Sequence, residues 1–84
     1  MLTYEKFLIS PIKVRTLFIK KLLNELDYNL EETFIEDKPY KKALKDYQSN
    51  HDFVSNCVIT SDVFYSLLEN AKSAITIWEK LKLR

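Results

Sequence analysis

Residues 10–27 read SPIKVRTLFIKKLLNELD, and the reading of this stretch decides the fold. Ser10 followed by Pro11 predicts a helix start: a capping hydroxyl, then a ring whose missing N–H costs nothing in a first turn. Beyond it the polar residues Lys13, Thr16, Lys20, Asn24 and Asp27 recur at spacings of three and four. On a helix they fall in one narrow stripe. Most of the rest is apolar, including Ile12, Val14, Leu17, Phe18, Ile19, Leu22, Leu23 and Leu26. The apolar arc takes in about two thirds of the circumference, wider than an ordinary core-facing stripe. Such a helix is expected to be covered on more than one side, either as the central element of a bundle or with its second face in a homodimer contact.

The flanking segments read as further helices. Thr3 is expected to cap a short one over 4–9 that stops before Pro11, because the residue preceding a proline avoids the α region. Asn29 followed by Glu32 has the spacing of a capping box, which predicts one or two turns over 30–36 pinned to the bundle by Phe34 and Ile35. Asp37, with Pro39 just behind it, starts another helix. On it Tyr40, Ala43, Leu44, Tyr47, His51, Val54 and Val58 keep the helical rhythm for about twenty residues. Thr60 or Ser61 opens the last helix, with Asp62 in its first turn and Phe64, Leu67, Leu68, Ala71, Ile75, Trp78 and Leu81 on one face. Lys80, Lys82 and Arg84 gather at its C-terminal end, where cations suit the helix dipole. The expected architecture is all-α: a single domain over residues 1–84, a small antiparallel bundle of three long helices plus one or two short ones.

Composition agrees with this. The 84 residues are 46% apolar, with five Phe, five Tyr and one Trp, which excludes a disordered chain. Glycine is absent altogether. Tight hairpins that need positive φ are therefore hard to build, and a glycine-rich phosphate loop is excluded. Cys57 is the only cysteine, so no disulfide forms within the chain, and its neighbours Val54, Val58 and Ile59 favour a buried thiol. No apolar run is long enough for a signal core or a membrane span. The cytoplasm of a bacterium or of an infected host cell is the expected location.

Catalytic chemistry finds little to work with. A nucleophile needs a base beside it, and the one histidine, His51, lies in line with an apolar helical face, six residues from Cys57. One His and one Cys cannot make a zinc site, and Glu31, Glu32, Glu36 and Asp37 lack the spacing of a calcium loop. No metal, cofactor or enzymatic activity is expected.

Charge layout says more. Lys6, Lys13, Arg15, Lys20 and Lys21 face only Glu5 in the first quarter of the chain; an acidic block from Glu25 to Asp37 follows, then Lys38, Lys41, Lys42 and Lys45. Much of this is expected to pair internally across helix rims. What remains points to a non-catalytic protein-binding module acting by stoichiometric association, of the inhibitor, immunity, chaperone or phage and viral accessory type. Its candidate contact is the acidic patch Glu31, Glu32, Glu36 and Asp37, which would suit a basic partner; the apolar surplus would suit a homodimer. The alternative is a nucleic-acid-binding accessory protein using Lys38, Lys41, Lys42 and Lys45. A net charge of +1 and only two arginines weigh against that alternative.

Overall fold

The protein is described by a computed structural model covering residues 2–82, with side chains through Leu81. Arg84 and the Lys82 side chain, expected at the last helix terminus, lie outside the described residues. Five helices and no strand occur among the described residues: α1 (Tyr4–Leu8), α2 (Ile12–Glu25), α3 (Lys38–Asn50), α4 (Ser61–Asn70) and α5 (Ala74–Lys82). None is long and apolar enough to cross a membrane.

Helix α2 is the centre. Thr16, Leu17, Phe18, Ile19 and Lys20 are buried in succession, and residues turning 100° each carry that burial around the whole circumference. The helix packs against α3, α4 and α5, while α1 packs on α4. Phe18 meets Trp78 of α5 edge-on with ring centres 4.9 Å apart, and Phe7 of α1 meets Phe64 of α4 at 4.8 Å. The radius of gyration is 11.7 Å, close to the roughly 12 Å of a compact chain this long.

Three expected helix starts are realised by their caps. Thr3 accepts from Lys6 N–H, Asp37 from Tyr40 N–H and Thr60 from Val63 N–H. Ser10 does something else: its hydroxyl donates to Lys6 O and closes α1, while Pro11 itself stands at the start of α2 with no side-chain cap.

The helix ends differ more from expectation. Helix α3 stops at Asn50 instead of running on to Val58. Asp52 adopts φ 63°, its N–H donates to Ser49 O, and Phe53 N–H donates to Gln48 O at 2.8 Å. These two bonds are the Schellman motif, with an aspartate in the left-handed position that glycine usually fills. Helix α2 ends the same way: Asp27 at φ 70° donates to Asn24 O and Tyr28 to Leu23 O. In a chain without glycine, residues whose short polar side chains tolerate this region take over the task. The segment 28–37 forms no helix either. Asn29 sits at φ 58° and caps nothing, so the chain runs as an irregular strap. Nor is the C-terminal segment one long helix; Ala71 leaves helical geometry (ψ 94°), and the nearly fully buried Ala71 and Ala74 give room for a break between α4 and α5.

Substitution at Asp52 separates the two descriptions of residues 50–58. Alanine there would stabilise a continuous helix, but in a left-handed position it should cost about 1 kcal/mol, or roughly 4–8 °C in Tm. We expect thermal melts to rank Asp52→Ala below both wild type and Asp52→Gly.

Candidate partner-binding surface

The polar stripe of α2 is the anchor for the strap. Lys20 Nζ donates to Thr33 Oγ1 at 2.8 Å and to Asp37 Oδ2 at 3.3 Å. The next residue, Lys21, donates through Nζ to Glu32 Oε1 at 2.7 Å. Asn24 holds Leu30 through both its amide atoms and donates to Glu32 Oε2. Lys20 and Thr16 are therefore interior residues, where a solvated stripe was expected. An amine with no exposed surface is tolerated because an oxygen acceptor, a carboxylate and the Tyr40 ring, 5.8 Å from Nζ, surround it.

This arrangement divides the acidic patch. Asp37 is occupied twice, by Lys20 and by the first turn of α3; Glu32 is held by Lys21 and Asn24. Glu31 and Glu36 remain exposed. Partial burial pushes the Asp37 carboxyl up, but the Tyr40 N–H and the Lys20 amine outweigh it and hold the group below the usual aspartate range. Bonds from Lys21 first and Asn24 second likewise lower Glu32. With its polar groups turned towards α2, the strap leaves Phe34 and Ile35 exposed; they do not pin it to the core.

A second polar node shapes the segment between α3 and α4. Gln48, fully buried, accepts from Asn56 and Cys57 N–H through Oε1 and donates from Nε2 to Val58 O and Asn56 Oδ1. Cys57 is held at φ 61°, half-buried, its thiol donating to Lys41 O. Val54 and Val58, expected on a buried helical face, point outward. His51 closes α3 and stacks on Tyr47 with ring centres 4.1 Å apart, exposed to solvent.

These constraints produce a surface with two hollows and a ridge. Leu8, Ile9 and Ile12, at the corner between α1 and α2, are 44%, 84% and 65% exposed. On one side, Leu8 and Ile12 line a hollow of about 330 Å³ closed by Tyr40, Glu36, Cys57 and Val58. On the other, Ile9 and Pro11 line a hollow of about 510 Å³ that reaches Trp78 and Leu81. Arg15 stands in the wall of the first, its guanidinium 6.0 Å from the Phe7 ring centre and its buried Nε without a hydrogen-bond partner among the described residues. Burial, then the nearby Glu36 and Cys57 charges, push the Tyr40 hydroxyl well above the usual tyrosine range. The four lysines of α3 are brought together: Lys38, Lys41, Lys42 and Lys45 are all exposed around one shallow depression, with Asp46 at its border. Among the described residues the ion pairs are Lys20–Asp37 and Lys21–Glu32, so none of these four is neutralised by a carboxylate at contact.

Comparison with protein-family models, curated proteins and solved structures gives no match. Function is therefore argued from the surface itself.

The Lys20–Asp37 pair is asymmetric, with side chains 0% and 33% exposed. Removing the carboxylate strands a fully enclosed amine, whereas removing the amine leaves a carboxylate that water still reaches. Asp37→Ser, which retains a capping hydroxyl, should lower Tm by several degrees, and Lys20→Met by much less. The pH dependence follows from the lowered carboxyls. Asp37 and Glu32 bind protons more weakly folded than unfolded, so their stabilisation is present above the unfolded values of 3.8 and 4.5 and is lost as pH falls through the folded values. The acid limb of a stability-against-pH curve should be shallower in Asp37→Ser than in wild type.

Proposed function

We propose that this protein is a non-catalytic binding module that acts by stoichiometric association with another protein through the α1–α2 corner. The observation that carries this reading is the run Leu8, Ile9 and Ile12, exposed side by side between two hollows. Scattered single apolar residues on a surface call for no explanation, but a contiguous ridge flanked by concavities marks an interaction site. Core demand does not account for it, because α2 already buries Leu17, Phe18, Ile19, Leu22 and Leu23. The corner residues are one part of the apolar surplus that the fold leaves over, beside Phe34, Ile35, Val54 and Val58.

Association through apolar surface fits the inhibitor, immunity, chaperone or accessory type of protein expected from the composition, and it fits a homodimer built on the same corner. A contact carried by the acidic patch has less support. Two of its four carboxylates already serve Lys20 and Lys21.

Ile12→Asp tests the reading. The side chain is largely exposed, so the folded protein should keep its stability within about 0.5 kcal/mol. Binding to the protein recovered with wild type by affinity capture from native lysate should weaken more than about tenfold. If the partner is a second copy, sedimentation should show a dimer for wild type and a monomer for the variant. Undiminished capture, or an unchanged mass, would move the contact away from the corner.

A further inference from the structure

The segment between α3 and α4 lies along one edge of α3. Ser55 Oγ donates to Lys45 O at 3.2 Å and Cys57 Sγ to Lys41 O at 3.3 Å, while Gln48 grips the same segment from inside. Val54 and Val58, 75% and 54% exposed, are thus set beside the helix edge that carries Lys41 and Lys45. At 100° per residue, Lys38, Lys41, Lys42 and Lys45 fall within one arc, opposite the buried Tyr40, Leu44 and Tyr47. Val58 also forms part of the wall of the hollow that Ile12 lines. The α3 lysines, around a depression bordered by Asp46, and the valines, on the segment bonded to the Lys41 and Lys45 carbonyls, therefore make up adjoining parts of a face.

We infer that this face receives an acidic amphipathic segment of a partner protein, its carboxylates over the α3 lysines and its apolar side chains against Val54, Val58 and the hollow beside Ile12. The inference rests on the protein-binding reading and adds the chemistry of the partner. Three observations favour that occupant. The lysines make no ion pair at contact among the described residues: Asp46 borders their depression without pairing with them, and Asp37, next to them in the chain, is turned towards Lys20. Lys38 lies in the first turn of α3, where the dipole disfavours a cation and an incoming anion offsets that cost. Finally, a bare phosphate backbone would neutralise the lysines and leave the valines and the hollow in water. A helix with acidic and apolar faces covers both. The arc presents neither arginine nor an aromatic ring, the groups on which single-stranded bases stack.

The test uses designed probes and an isotope-labelled full chain followed by NMR. One peptide of about 15 residues, long enough for helix formation, has glutamates on one face and leucines on the other. A second carries lysine for every glutamate, a third carries glutamine for every leucine, and the fourth probe is oligo-dT of about 20 nucleotides. The first peptide should shift the amides of Lys41, Lys45, Val54 and Val58. Its affinity should fall about tenfold or more in Lys41→Glu/Lys45→Glu and again in Val58→Asp, all at exposed positions, with unchanged spectra elsewhere confirming the fold. Equal binding of the leucine-free peptide or of oligo-dT would make the face a general polyanion surface and overturn the inference. Equal binding of the lysine peptide, or no shift with any probe at millimolar concentration, would overturn it too. If these results fail while capture of the lysate partner still depends on Ile12, the protein-binding reading survives and the acidic-segment inference alone falls.

Discussion

A single ammonium group, that of Lys20, joins three parts of this protein. It belongs to the central helix, it donates to Thr33 in the strap, and it pairs with the aspartate that caps α3. Enclosing a charge costs several kcal/mol before its partners compensate, so the chain must hold Thr33, Asp37 and the Tyr40 ring in place together. The strap cannot lift from α2 without uncovering the amine, and α3 cannot begin elsewhere without losing both its cap and its counter-ion. The hydrophobic core holds the helices together, but this node fixes where the second long helix starts and which way it is turned.

The character of the surface follows from that placement. With Tyr40, Leu44 and Tyr47 turned inward, the lysines of α3 can only face water. Gln48, one turn beyond Leu44, repeats the Lys20 strategy with a neutral side chain: four hydrogen bonds to residues 56–58 shape a glycine-free segment that includes a strained Cys57. Both polar nodes therefore hold irregular backbone against helices. In doing so they expose the apolar residues on the far side of that backbone: Phe34 and Ile35 in one case, Val54 and Val58 in the other. The proposed docking face is built from residues left outside by bonds made within.

Much of the helical content can be read from residue types. Thr3, Asp37 and Thr60 cap helices as their positions predict, and the breadth of the apolar arc on α2 correctly implies cover on several sides. The helix ends are harder to read, because the usual marker is glycine. Here Asp27 and Asp52 occupy the left-handed positions, and aspartate after a helix is ambiguous in a way that glycine is not. The strap deceives for a different reason. Asn29 and Glu32 have capping-box spacing, but Glu32 has better partners on α2 in Lys21 and Asn24, a long-range preference that local spacing cannot reveal. Lys20 is the clearest case. A lysine in a polar stripe reads as solvated surface, and only the neighbouring Thr33 and Asp37, distant in sequence, make it an interior residue. For the surface, the lysine cluster was legible as a cluster, the acidic block was legible as a block but not as half-committed, and the valine–lysine adjacency depends on where α3 stops.

Reductive methylation of the native protein, followed lysine by lysine with mass spectrometry, probes the enclosure of the Lys20 amine itself. Lys38, Lys41, Lys42 and Lys45 should be modified readily while Lys20 stays unmodified until the chain is unfolded. Methylation of Lys20 in the folded protein at the rate of those four would show that the amine is open to solvent, and the node joining α2, the strap and α3 would not exist as described.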